Sequence, residues 1–317
     1  MAVDPQLQGT VLLIAVSLGV LGNIPVVVSI SLQRSLLKNN HYYLLLHLAI
    51  CDLCTLLFFI PDVYSMFTAN PSITTTSHLL CKIWGPAHTA VFTAGANFLV
   101  VISALRYRAI LHPFKLPVTR RTLNFAAVCV HMFAIICILP YAMVLTFHEE
   151  DGCSKKWPSE SLSLAYTWFL ACVQFFLPVI ILSFIYYKIG QEILIRNKTI
   201  SRMDARNQIP EEHSSEFRHR QKIRNAKPLF VSFVIVLSFI VSGFPSQVLW
   251  IAFTSASKKI PSYAFLFNAI YIFGTSVINP FVYGALDKKI FSLFKQCRKM
   301  QVRLSSLSRR EVYETKF

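Results

Sequence analysis

The chain has 317 residues and a formal net charge of +16, with 54% hydrophobic and 15% charged side chains. A soluble domain of this length buries one or two cores and has no use for seven long apolar runs, so composition excludes an ordinary soluble globular protein. A basic excess this large can serve nucleic acid, but its distribution along the chain assigns it to membrane topology instead.

An α-helix needs about 20 apolar residues to cross the hydrocarbon core. Residues 5–33 contain no Lys, Arg, Asp or Glu and form the first predicted span. No basic segment precedes them, so this helix reads as a retained signal anchor rather than a cleaved leader. The second span, 42–67, carries Asp52 and Asp62. Acids are costly in lipid, and their presence there points to function. The third, 83–105, is interrupted by the polar tip of His88. The fourth to seventh, 122–147, 161–187, 228–257 and 260–286, lack all four charged residue types. Residues 287–300 follow, with Ile290, Phe291, Phe294 and Cys297 on one helical face. That pattern predicts a short amphipathic eighth helix on the inner leaflet, with Cys297 as a palmitoylation candidate. The expected organisation is an outer N-terminus over 1–9, a seven-helix unit over 10–286, the amphipathic helix, and a tail over 301–317. Residues 191–222 are expected to extend the fifth and sixth helices around a flexible inner loop.

Residues 33–41, 106–121, 188–227 and those after 286 hold 26 of the 31 Lys and Arg. Basic loops stay in the cytoplasm, so the C-terminus is expected inside, the N-terminus outside, and the protein in the plasma membrane. The same charge draws the inner face toward anionic lipid and suits an intracellular partner with an acidic surface. Five cysteines (Cys51, Cys54, Cys129, Cys137 and Cys172) lie within spans, where a free thiol acts as a small hydrophobe. Cys81 and Cys153 fall at the outer ends, in an oxidising compartment, and one disulfide between them is the simple inference.

Several residues now carry a resemblance. Gly22-Asn23, Leu48-Ala49-Ile50-Cys51-Asp52, Cys81 followed by Arg106-Tyr107, Pro178 with Tyr186, Phe239 with Pro245, and Asn279-Pro280-Phe281-Val282-Tyr283 occur in order on successive spans. In this the chain resembles the rhodopsin-like (class A) G-protein-coupled receptors over nearly its whole length. The resemblance implies an all-α seven-transmembrane bundle and no enzyme activity or cofactor. It also implies a heterotrimeric G protein as inner partner, with arrestin and a receptor kinase beside it; Ser305, Ser306 and Ser308 are kinase-site candidates. Arg106, Tyr107, Tyr186, Phe239, Pro245, Asn279, Pro280 and Tyr283 would serve coupling and activation. Asn23, Asp52 and Asn279 would form a polar core. A sodium ion at Asp52 is one reading of that core and a water-filled cavity the other.

The departures from the family pattern are informative. Leu105 stands where an acid usually precedes Arg106, and Asn225 stands where some relatives carry Glu, so both familiar carboxylate restraints on Arg106 are missing. High basal activity is the expectation. Gly243 replaces the usual aromatic two before Pro245, and His131 replaces the fourth-helix Trp. Gly95 and Thr275 take the two polar positions expected around Asp52.

Candidate ligand contacts in the outer halves of the spans are Asp62, His88, Phe92, Gln174, Gln247, Trp250 and Asn268. His88 occupies the position where amine receptors place Asp, which argues against a protonated monoamine. The seventh span has no Lys, which excludes retinal attachment. Asp62 is expected near His88, where it can pair with a cationic ligand group or bond to His88 itself. The charged segment 148–158 resembles that of peptide receptors, so a neuropeptide-like ligand is the first reading. A small neutral ligand, indoleamine or lipid, is the second. A transporter or membrane enzyme is a remote third, because two acids in one helix make a thin relay and no metal-ligand cluster is visible.

Overall fold

The computed structural model describes residues 4–68, 77–148, 152–205, 211–255, 264–286 and Ile290. Apart from Ile290, the expected amphipathic helix with Cys297, and the tail, lie outside the described residues. Eleven helical segments and one hairpin are described: α1 (Pro5–Leu32), α2 (Arg34–Leu37), α3 (Asn40–Phe58), α4 (Ile60–Thr68), α5 (His78–Leu111), α6 (Arg120–Val144), β1 (Leu145–His148), β2 (Gly152–Lys155), α7 (Glu160–Ala171), α8 (Leu177–Ala205), α9 (Glu211–Ser255), α10 (Ala264–Ile272) and α11 (Ile278–Leu286).

Six of the resulting helices are long and apolar enough to cross a membrane: Pro5–Leu32, Asn40–Thr68, His78–Leu111, Arg120–Val144, Glu160–Arg196 and Phe233–Ser255. The seventh run, 264–286, has the apolar stretch Leu266–Val282 at its centre. These helices pack into one seven-helix bundle, with α5 in contact with α3, α6 and α8, and with α1 and α9 against the seventh run.

Local chemistry sets the ends. Asp4 Oδ1 accepts from the Gln6 N–H at 3.1 Å, and Ser159 Oγ caps α7 by accepting from Leu162 at 3.2 Å. Within lipid every polar group needs an internal partner, so Thr89, Thr93, Thr167 and Thr254 donate to carbonyls one turn back, at 2.7–2.9 Å. Large apolar side chains such as Phe125, Ile136 and Met143 sit on the outside, facing the lipid, whereas Asn23, Asp52, Gln174 and Asn279 are buried in the bundle.

Three spans are irregular, each next to a proline. The second breaks at Phe59 and restarts at Ile60, just before Pro61. The fifth contains a π turn over Cys172–Phe176, closed by the Leu177 N–H on the Cys172 carbonyl, just before Pro178. The seventh contains a second π turn over Phe273–Val277, just before Pro280. Proline removes a donor and crowds the preceding turn, and the wider turn accommodates both effects. The fourth–fifth connection is a hairpin. Leu145 pairs with Lys155 and His148 with Gly152, whose φ is 70°. Cys153 in β2 is disulfide-bonded to Cys81 at the start of α5, with Cα atoms 5.5 Å apart.

Candidate functional site

The outer half of the bundle encloses a cavity of about 550 Å³. Of the seven candidate contacts, His88, Phe92, Gln174, Gln247, Trp250 and Asn268 line it, and Asp62 does not. The break at Phe59 accounts for this. Past it, α4 packs on α1, with Val63 joining Leu12 and Val16. Phe59 lies edge-on to His88, with ring centroids 4.7 Å apart, in the place where Asp62 was expected. Gln174, on the fifth-span π turn, donates to Thr93 Oγ1 at 2.8 Å. Ser246 donates to Asn268 Oδ1 at 2.7 Å and so ties the sixth span to the seventh. Sequence reasoning missed Tyr141, Tyr166 and Lys155, which also line the cavity. Lys155 is the charged side chain among the described residues of this wall; its ammonium sits 5.0 Å from the Tyr141 ring, and desolvation lowers its pKa.

Beneath the cavity lies an aromatic layer. Phe92 meets Tyr271 edge-on at 5.3 Å, Tyr271 lies 6.3 Å from Phe239, and Phe239 lies 5.5 Å from Phe175. Gly243 faces this layer. A Cβ there would lie 2.5 Å from the Phe175 ring and 2.9 Å from the Tyr271 ring. The rings of the fifth and seventh spans therefore fill the space that a sixth-span aromatic would otherwise need. Gly243 alone hinted at this in the sequence; which rings take up the space depends on the bundle.

A smaller cavity of about 20 Å³ follows, lined by Asp52, Thr55, Phe92, Gly95, Phe239, Ser276 and Asn279 among others. Asp52 Oδ1 accepts from Ser276 Oγ at 3.1 Å, and Oδ2 accepts from Asn279 Nδ2 at 3.1 Å. Asn279 Nδ2 also donates to the Thr275 carbonyl. Asn23 Nδ2 donates to the Ser276 carbonyl at 2.9 Å, so the first, second and seventh spans share one network. A hard cation wants about six oxygens. Here both carboxylate oxygens already face protein donors, Gly95 leaves the third-span wall without an oxygen, and the space equals roughly one water. The residues do not fit a sodium site. They fit a carboxylate satisfied by hydrogen bonds.

At the inner end, Arg106 is half-buried, and its Nη2 donates to His41 Nε2 at 2.8 Å. Ser103 and Tyr186 hydroxyls lie 3.3 Å apart and bridge α5 to α8. The Tyr107 ring lies 6.2 Å from that of His112. The side chain of Tyr283 lies outside the described residues. His131 packs edge-on against Phe98 at 5.2 Å, and His47 stacks on Phe98 at the same distance.

The model of the 7 transmembrane receptor (rhodopsin family) matches residues 22–283. Neuropeptide FF receptor 2 of Rattus norvegicus is 24% identical over 238 residues, covering 68% of this chain and 55% of that protein. Neuromedin-U receptor 2 of Mus musculus is 25% identical over 296 residues, covering 87% of this chain and 71% of that receptor. The chain thus spans little more than half the length of the first relative and about seven-tenths of the second. Squid rhodopsin has the same fold, with a TM-score of 0.76 over 95% of this chain and 88% of its own, at 18% identity.

Proposed function

Since the chain belongs to the rhodopsin family of seven-transmembrane receptors, which are not enzymes, we propose that it binds an extracellular peptide of neuropeptide type in the outer cavity and activates a heterotrimeric G protein. Activation proceeds by an outward swing of the inner half of α9 about Pro245. The observation that carries this reading is the unbroken aromatic path. Phe92 and Tyr271 belong both to the cavity wall and to the layer, and the layer packs on α9 beside Gly243, two residues before Pro245. Phe92 and Phe239 continue the path to the Asp52 cavity. A ligand that moves Tyr271 or Phe92 therefore presses on the proline-weakened segment of α9, where a helix pivots at low cost. The opened inner mouth exposes Arg106, whose fork of donors suits the carbonyls of an entering helix.

The curated names of the relatives, receptors for neuropeptide FF and neuromedin U, support the peptide reading. The wall itself supports a second reading, a small neutral ligand. Its volume lies in the usual range for small molecules, and no carboxylate among the described residues lines it. Arrestin and a receptor kinase are proposed partners of the inner face. The plasma membrane is the proposed location, with the N-terminus outside.

The test is a screen of cells expressing the chain. Peptide pools are run beside indoleamine and lipid collections, with several G-protein readouts. A peptide response lost in Gln247→Ala and Trp250→Ala supports the first reading. A response to neutral small molecules alone moves the assignment to the second. A response that survives both substitutions shows that the cavity is not the ligand site.

A further inference from the structure

We propose that His41 is the resting-state latch on Arg106, standing in for the acids whose usual positions hold Leu105 and Asn225. The inference rests on reading Arg106 as the residue that meets the G protein. Leu105 packs against the apolar core and contributes no charge. The acceptor comes instead from the second span, where His41 Nε2 lies 2.8 Å from Arg106 Nη2.

The chemistry defines the state of the ring. A guanidinium has donors and no acceptor, so the His41 nitrogen facing it carries a lone pair. The imidazole is then neutral, with its proton on Nδ1. Nδ1 has no hydrogen-bond partner among the described residues, so the bond to Arg106 is the one hydrogen bond described for the ring.

The platform under His41 is cross-linked by hydrogen bonds. Asn39 Oδ1 accepts from the His41 N–H at 2.9 Å. Asn40 Nδ2 donates to the Val118 carbonyl at 2.5 Å. The Arg120 guanidinium lies 3.5 Å from the Tyr43 ring centroid and donates to the Leu37 carbonyl at 2.7 Å. The residues flanking His41 thus tie the start of α3 to the segment that leads into α6. Arg106 rides on α5 and docks against this fixed acceptor.

A neutral acceptor gives a charge-assisted hydrogen bond but no attraction between opposite full charges. It therefore holds Arg106 less firmly than a carboxylate in the same place would. This revises the expectation of an unrestrained Arg106: the imidazole bond is one determinant of basal activity. His41 is a positioning residue. It acts on the partner only through Arg106.

The test uses the full-length purified receptor with two readouts. In nucleotide exchange on a panel of purified G proteins, His41→Ala raises basal exchange about tenfold, the shift expected from losing one hydrogen bond to a charged group. His41→Gln, which keeps an acceptor, stays near the wild type. His41→Glu, which adds a full charge, lowers exchange below it. A purely structural histidine would be damaged by Gln and Glu alike, and equal behaviour of Ala, Gln and Glu overturns the latch. The second readout is the nitrogen resonance of His41 in receptor carrying labelled histidine. The Nε2 signal of a hydrogen-bonded acceptor is expected, and it shifts in Arg106→Ala. An unchanged signal overturns the latch without reference to any G protein. Should no variant, nor the wild type, promote exchange, the functional reading of Arg106 falls, while the resonance still decides whether His41 holds it.

Discussion

Gly243→Ala tests whether the aromatic layer is packed as described. The added methyl carbon lands 2.5 Å from one atom of the Phe175 ring and 2.9 Å from another, and 2.9 Å from the Tyr271 ring. Ordinary contact needs about 3.5 Å, so the Phe175 ring must retreat by roughly 1 Å. It has nowhere open to go. Phe175 is 1% exposed and lies against Phe176 and Phe239, and Tyr271 is 6% exposed and lies against Phe92. Overpacking of this kind costs about 1–3 kcal/mol. Replacing glycine in a helix interior returns about 0.5–1 kcal/mol through chain entropy. The net expectation is a loss of roughly 1 kcal/mol, larger for Gly243→Trp. The assay is unfolding of the detergent-solubilised receptor, followed with a thiol-reactive dye. The midpoint is used as a rank, since such unfolding is irreversible. Phe175→Leu in the Gly243→Ala background relieves the clash, so the double variant recovers midpoint relative to the sum of the singles. A Gly243→Ala receptor with a raised midpoint, or strictly additive singles, would refute the packing.

Two further outcomes follow from other parts of the bundle. Replacing sodium chloride with choline chloride at equal ionic strength should leave the wild-type midpoint where it leaves that of Asp52→Asn; a sodium-specific stabilisation confined to the wild type would show that the Asp52 cavity does bind the ion. Cys153→Ser frees the hairpin from α5 and should cost about 2–5 kcal/mol, measured as a lowered midpoint with weakened ligand response; an unaltered midpoint would mean that the hairpin holds its place without the bond.

The spans, their helical nature and the disulfide pair were legible in the residues because the physics that dictates them is local. Hydrocarbon demands about 20 apolar residues per crossing and closes every backbone hydrogen bond within the helix. An oxidising face pairs the two cysteines that reach it. Four of the six cavity candidates, His88, Gln174, Gln247 and Asn268, share one wall for a related reason: a polar residue in a span is placed inward by lipid. What remained hidden depends on which faces meet. Asp62 left the cavity because a one-residue break at Phe59 set α4 against α1, and no periodicity reports such a break. The two π turns shift everything after them by a residue, and Pro178 and Pro280 mark the place without specifying the wider turn. His41 and Arg106 are 65 residues apart in sequence and 2.8 Å apart in space. Composition could say only that the usual acids were missing. Packing of α3 on α5 supplied the acceptor, because a side-chain bond between two helices depends on their rotation and register, which the assembled bundle alone decides.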